Sequence, residues 1–228
     1  MGWRGLAFAL ALLPAAAAAD PIVSARLIDP TDRYDHAILG DALEWAGLEM
    51  MLASGQRLRV TLPATRVFED VTARVVDADG DGLTEVIAVE TDLMLGASLA
   101  VYDAAGKRAA TPFIGQTHRW LAPAGMGDFD GDGRPEIAYV DRPHLLRELV
   151  FLRLTGGHLA EIARIPGLTN HRIGDSAISG GLRRCGGRDS LILADTAWAR
   201  AVEVTWQDGR PVATDIGPID RLSAALTC

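Results

Sequence analysis

Two stretches of this chain are copies of one another. Asp77-Ala-Asp79-Gly-Asp81-Gly82-Leu-Thr-Glu85, followed by Val-Ile-Ala-Val-Glu90, aligns without gaps on Asp128-Phe-Asp130-Gly-Asp132-Gly133-Arg-Pro-Glu136, followed by Ile-Ala-Tyr-Val-Asp141, 51 residues downstream. A worn third copy follows: Gly174-Asp175 echoes Gly127-Asp128, and Ser190-Leu-Ile-Leu-Ala-Asp195 echoes Glu136 to Asp141. A fainter first copy begins at Gly40-Asp41. A period of this size restricts the fold severely, because each unit is too small to bury its own apolar faces and must stack on a neighbour.

The strands of one unit are legible. Arg119 to Gly127 leads into the acidic loop, and Glu136 to Asp141 is a short apolar run bounded by turn signals, which fits a strand buried on both faces. Leu149 to Leu154 is a third strand, Gly156-Gly157 a tight turn, and Leu159 to Ile165 a fourth. Residues 71–112 repeat this plan with Asp103-Ala-Ala-Gly106 as outer turn, residues 170–215 repeat it with Gln207-Asp-Gly209, and residues 34–63 supply an incomplete unit. Within that last segment, Gly40 to Leu52 also matches a helical period, but the repeat favours a strand. Four antiparallel strands per unit make a propeller blade. The expectation is all-β: a propeller-like array of about four blades, with a β-sandwich as the alternative.

In the loops, carboxylates at positions 1, 3, 5 and 9 and glycine at position 6 make an oxygen-rich cage, with the carbonyl of Leu83 or Arg134 available at position 7. Hard cations prefer oxygen, and Ca²⁺ takes six to eight such ligands in flexible geometry, whereas Mg²⁺ wants a smaller octahedral shell. Zn²⁺ is disfavoured without His or Cys. An EF-hand would need Glu at position 12 and flanking helices; Ala88 and Tyr139 stand there, between strands.

Asp-x-Asp-Gly-Asp-Gly-x-x-Glu between strands resembles the calcium loop of FG-GAP repeats, also called VCBS repeats, which build the integrin α-chain propeller and many exported bacterial proteins. The resemblance covers two good units and one worn one, roughly residues 68–205. The whole chain is also similar to small secreted proteobacterial proteins of this type, whose role is mostly unassigned. By position it implies two structural calcium sites, one at Asp77, Asp79, Asp81, Leu83 and Glu85, the other at Asp128, Asp130, Asp132, Arg134 and Glu136. The third unit departs from the pattern, since Ala177 and Ser179 follow Asp175, and carries Cys185 instead. A disulfide is expected there to do what calcium does in its neighbours.

The N-terminus has the pattern of an export signal. Arg4 precedes an apolar run from Leu6 to Ala19 that is interrupted by Pro14, too short for a membrane span, and ends in small residues. The expectation is a signal peptide over residues 1–19, cut after Ala19, with one mature domain over 20–228 bound for the periplasm or the medium. Cys185 and Cys228 form an even pair, which in an exported chain favours a disulfide over two free thiols. The formal charge of −8 becomes −9 once Arg4 is removed, with no basic run, so nucleic acid is excluded as a partner and no membrane insertion follows cleavage.

No nucleophile elbow, phosphate loop, His-Glu-x-x-His or Cys-x-x-Cys is present. His36, His118 and His171 each precede a unit, and Arg119 and Arg172 follow two of them. Equivalent positions of successive blades gather at one end, so this set can converge on a shallow basic site for a carboxylate or phosphate; the competing reading is of loop residues bonded to nearby turns. Glu90, Asp141 and Asp195 recur at strand ends, where solvation or salt bridges to Arg142 or Arg200 account for them, and Trp120, Trp198 and Trp206 are expected to pack between blades. The functional expectation is a non-catalytic binding module for protein or glycan. The alternatives are a hydrolase or lyase using the His/Arg set, and a structural subunit of an envelope assembly.

Overall fold

The computed structural model describes residues 20–40 and 43–228. The expected signal peptide, and Asp41 of the faint first copy, lie outside the described residues. Among the described residues the chain is all-β and antiparallel, and no helix is long and apolar enough to cross a membrane. An N-terminal meander consists of β1 (Ile22–Thr31), β2 (Glu44–Leu52) and β3 (Arg57–Thr61). The first full unit holds β4 (Arg66–Phe68), β5 (Arg74–Val76), β6 (Glu85–Asp92), β7 (Gly96–Asp103) and β8 (Gly106–Ala110). The second holds β9 (Leu121–Gly127), β10 (Glu136–Asp141), β11 (Glu148–Thr155) and β12 (His158–Pro166). The third holds β13 (Leu168–Thr169), β14 (Gly181–Cys185), β15 (Arg188–Asp195), β16 (Arg200–Gln207) and β17 (Arg210–Pro218), and two 3-10 turns, Ile219–Arg221 and Ala224–Leu226, follow.

Three units therefore share one plan of four antiparallel strand positions, and the meander, joined edge-on where Trp45 of β2 faces Phe68 of β4, is the incomplete fourth. Residues Glu44–Leu52 are strand, as the repeat required.

The first strand position of every unit is interrupted at the same register. In the second unit a bulge falls between Ala138 and Tyr139 of β10, where β9 skips Ala124. In the first unit the corresponding break separates β4 from β5, and residues 69–73 loop out. In the third it separates β13 from β14, and residues 170–180 loop out. Gly174-Asp175 lies in that excursion. The sequence alignment of this pair with Gly127-Asp128 is therefore corrected: the counterpart of the acidic loop is the β14–β15 hairpin, shortened to a turn at Gly186-Gly187 and closed by Cys185 opposite Arg188.

The continuous apolar runs have a simple cause. Successive side chains of a strand point to opposite faces, and each central sheet is covered on both. On β6, Val86 and Ala88 join the core against the meander, while Ile87 and Val89 join the core against the second unit. On β10, Ile137 and Tyr139 face the first unit, and Ala138 and Val140 face the third. On β15, Leu191 and Leu193 face the second unit; Ile192 and Ala194 lie under a lid containing Leu222 and Leu226. Burying roughly this many Leu, Ile, Val and Phe side chains at about 1.5–3 kcal/mol each is what makes the stack.

Candidate functional site

The two acidic loops join the first and second strand positions of their units, between β5 and β6 and between β9 and β10. Their local geometry is nearly identical because the same side chains bond the same backbone groups. Asp77 accepts from the N–H groups of Gly80 (2.7 Å) and Gly82 (2.9 Å), and Asp128 from those of Gly131 (2.8 Å) and Gly133 (2.9 Å). These four glycines have φ between +79° and +88°, a left-handed conformation that a side chain would oppose. Asp79 and Asp130 accept from Asp81 and Asp132, Asp81 and Asp132 from Leu83 and Arg134, and Glu85 and Glu136 from Ala78 and Phe129.

Each loop brings three carboxylates to one point. One oxygen each of Asp77, Asp79 and Glu85 lies within 4.8 Å of the others, and the same holds for Asp128, Asp130 and Glu136. Asp81 and Asp132 stand at the more exposed side, outside these triads, as do Leu83 and Arg134; the Arg134 side chain bonds Thr155. Glu85 and Glu136 are buried, and desolvation, with the neighbouring Asp79 and Asp130 charges as lesser causes, pushes both carboxyls above the ordinary range. A cation removes that penalty. The donors are all oxygen and include at least three carboxylates, which fits calcium. Each loop also meets an arginine: Arg108 of β8 pairs with Asp79 and Glu85, and Arg153 of β11 with Asp130, Asp132 and Glu136.

In the third unit Cys185 and Cys228 form a disulfide, with Cα atoms 5.8 Å apart, at the hairpin equivalent to the acidic loops.

A second cluster sits at the opposite ends of β6 and β10. Of the five histidines, His36, His118, His144 and His171 gather around Trp120; His158 is exposed on β12. His36 and His118 have ring centroids 5.1 Å apart, and Tyr34 stacks on His118. His36 Nδ1 bonds the fully buried Glu69, whose carboxyl burial pushes upward. His171 Nε2 bonds the carbonyl of Asp175 at 2.8 Å, and a carbonyl can only accept, so Nδ1 is the acceptor for His144 Nε2–H at 3.0 Å. Burial lowers both histidines, His144 to about 4 with the His171 charge as second cause.

Of the expected set, His36, His118 and Arg119 line one small cavity with His144, Arg119 also bonding the His118 carbonyl, and His171 adjoins it through its bond to His144. Arg172 is a correction: its guanidinium stacks on Trp198 at 4.2 Å, drawn there by the indole face. His144, Tyr34 and Glu69 join the cluster without any repeat position to announce them. The excursions at residues 69–73 and 170–180 carry Glu69 and His171 there, so the interruption of the first strand was the missing signal. The strand-end acids are tied structurally. Glu90 bonds Arg66, Lys107 and Tyr102; Asp141 bonds Arg142 and Arg164; Asp195 accepts the Ala199 and Arg200 N–H groups.

Residues 71–139 match the model of the FG-GAP-like repeat, a span that contains both acidic loops, the strand β6 and the first part of β10. No curated protein matches the chain. Among solved structures, the chain is similar to the exotype rhamnogalacturonan lyase YesX, at 17% identity and a TM-score of 0.48, over 74% of this chain and 36% of that one. The chain spans about a third of that protein's length.

Proposed function

We propose that this chain is an exported, calcium-stabilised FG-GAP-type repeat module that binds a protein or glycan and performs no catalysis. The observation that carries the calcium reading is the pair of superimposable loops, each turning carboxylates onto one point. Asp77, Asp79, Asp81, Glu85 and the Leu83 carbonyl would hold one ion, and Asp128, Asp130, Asp132, Glu136 and the Arg134 carbonyl the other. The ion supplies charge neutralisation that ties the second strand of each unit to the first; without it the like charges loosen the loop. The N-terminal apolar run and the disulfide support export, because such bonds persist in oxidising compartments.

A binding role is supported by the end of the stack away from the loops. There the turns between second and third strand positions expose Met94 (73%) and Leu145 (61%), and the 170–180 excursion exposes Ile173 (72%). Exposed apolar side chains gathered at one end mark an interaction face.

Thermal melts in excess EDTA, in millimolar Ca²⁺ and in Mg²⁺ test the calcium reading. A Ca²⁺-selective rise of several degrees is expected, since a ligand of the native state stabilises it by mass action; equal curves in all three would overturn it. A Met94→Ser, Leu145→Ser, Ile173→Ser variant is expected to keep the calcium response and lose binding to any protein or glycan that immobilised wild type retains.

A further inference from the structure

We propose that Arg108 and Arg153 are built-in counter-cations of the two loops, and that calcium enters each loop by exchanging with a guanidinium. This rests on the calcium reading above.

The oxygens decide it. In the second loop Asp128 spends both oxygens on the Gly131 and Gly133 N–H groups, and three other carboxylates spend one each on the loop backbone: Glu136 Oε2 on Phe129 N–H, Asp130 Oδ1 on Asp132 N–H, Asp132 Oδ1 on Arg134 N–H. The other oxygen of each faces Arg153. Glu136 Oε1 takes Nε at 3.1 Å as well as Nη2, Asp130 Oδ2 takes Nη2 at 2.8 Å, and Asp132 Oδ2 lies 3.0 Å from Nη1. In the first loop Glu85 Oε2 and Asp79 Oδ1 serve Ala78 and Asp81, while Glu85 Oε1 and Asp79 Oδ2 take the two Nη atoms of Arg108. In the second loop the oxygens left for an ion by the loop backbone are those Arg153 holds; in the first, Arg108 holds those of Asp79 and Glu85 but not that of Asp81.

The two arginines reach this place by different routes. Ile137 faces Leu152 across β10 and β11, so Arg153 stands one residue past the partner of the strand's second residue. Val86 faces Tyr102, so the same position in the first unit is Asp103, and the cation comes instead from Arg108, at a bulge in the next strand over. Repetition of the unit does not account for a guanidinium on equivalent oxygens from non-equivalent positions; the need for a cation there does. A planar fork suits this role better than an ammonium, because it bonds several carboxylates at once.

The loops are not equal. Arg108 holds two carboxylates and lines a cavity of about 410 Å³ shared with Asp20, Asp81 and Asp103, into which its head can turn. Arg153 is gripped by three carboxylates. The first loop therefore exchanges more readily and binds calcium more tightly.

Calorimetric titration with CaCl2, paired with melts in EDTA, tests this on the purified wild type, R108Q, R153Q and R188Q. Arg188 lines a cavity with Asp128 and Asp130 and controls for lost charge alone. Wild type is expected to show one tighter and one weaker site. R153Q should tighten the weaker and R108Q the tighter, each by about tenfold or more, and both should melt lower in EDTA and recover in calcium. R188Q should change affinity by about threefold at most. Should R153Q fail to fold without calcium, R153K keeps the charge but not the fork, and is expected to fold and to bind calcium more tightly than wild type. If R108Q and R153Q bind calcium no more tightly than R188Q, exchange is refuted while the calcium reading stands. If no variant takes up calcium, the calcium reading falls and exchange with it.

Discussion

Replacing both Cys185 and Cys228 by serine should cost this protein about 4 kcal/mol, from the closure entropy of a loop whose ends are 43 residues apart. The structure says where the loss will be felt. Cys185 sits on the β14–β15 ladder, which holds it regardless. Cys228 follows two 3-10 turns that contain no buried residue, and Leu222 between them is their one fully packed anchor. That segment covers Ile192, Ala194 and Ala201. Without the bond it should fray first and open the outer face of the third unit. In urea the midpoint should fall accordingly, and the melting temperature by roughly 8–16 °C, taking about 2–4 °C per kcal/mol for a chain of this size. Limited proteolysis should cut within residues 219–228 before the core opens. A loss below about 1 kcal/mol, with residues 219–228 still protected, would refute the view that the bond fastens this lid.

Phe151→Ala should destabilise by about 3–5 kcal/mol, because Phe151 is buried between the second and third units with Phe129 and Trp206 edge-on at 5.4 and 5.3 Å; urea unfolding measures it. Trp120→Phe should cost about 1–2 kcal/mol by leaving the buried Glu69 carbonyl without its indole donor at 2.8 Å. Stability should fall on acidification from the ordinary histidine range toward pH 4. His144 titrates at about 4 in the folded chain, so in that window the unfolded state binds more protons, and the contribution is complete above the unfolded value and lost below it. His171, also lowered by burial, adds to this trend, and Glu69, pushed upward by burial, works in the opposite direction; the slope removed by His144→Gln isolates the His144 part, and an unchanged slope would refute it.

The loops and the core of each second strand were readable, though β6 runs on to Asp92 and β15 begins at Arg188. Glu136 to Asp141 was bounded correctly because a strand buried on both faces has no polar position until it ends. The turns at Gly156-Gly157 and Asp208-Gly209 were readable because left-handed backbone selects its residues. The first strands were not. Their interruptions at residues 69–73 and 170–180 follow no local period, and the misplacement of Gly174-Asp175 came from that. Three of the five expected ligands in each loop meet at one point, since alternation along a tight turn dictates it, whereas Arg108 and Arg153 come from strands that sequence cannot pair with the loop.

The sequence by itself determined the repeat, the all-β class, the acidic loops and the cysteine pair, because each follows from short-range stereochemistry or from the repeat period. Tertiary structure decided how many units are complete, which histidines meet, and which cation faces the carboxylates. Those depend on the register between strands far apart in the chain, and a shift of one residue there would turn Arg153 to the opposite face.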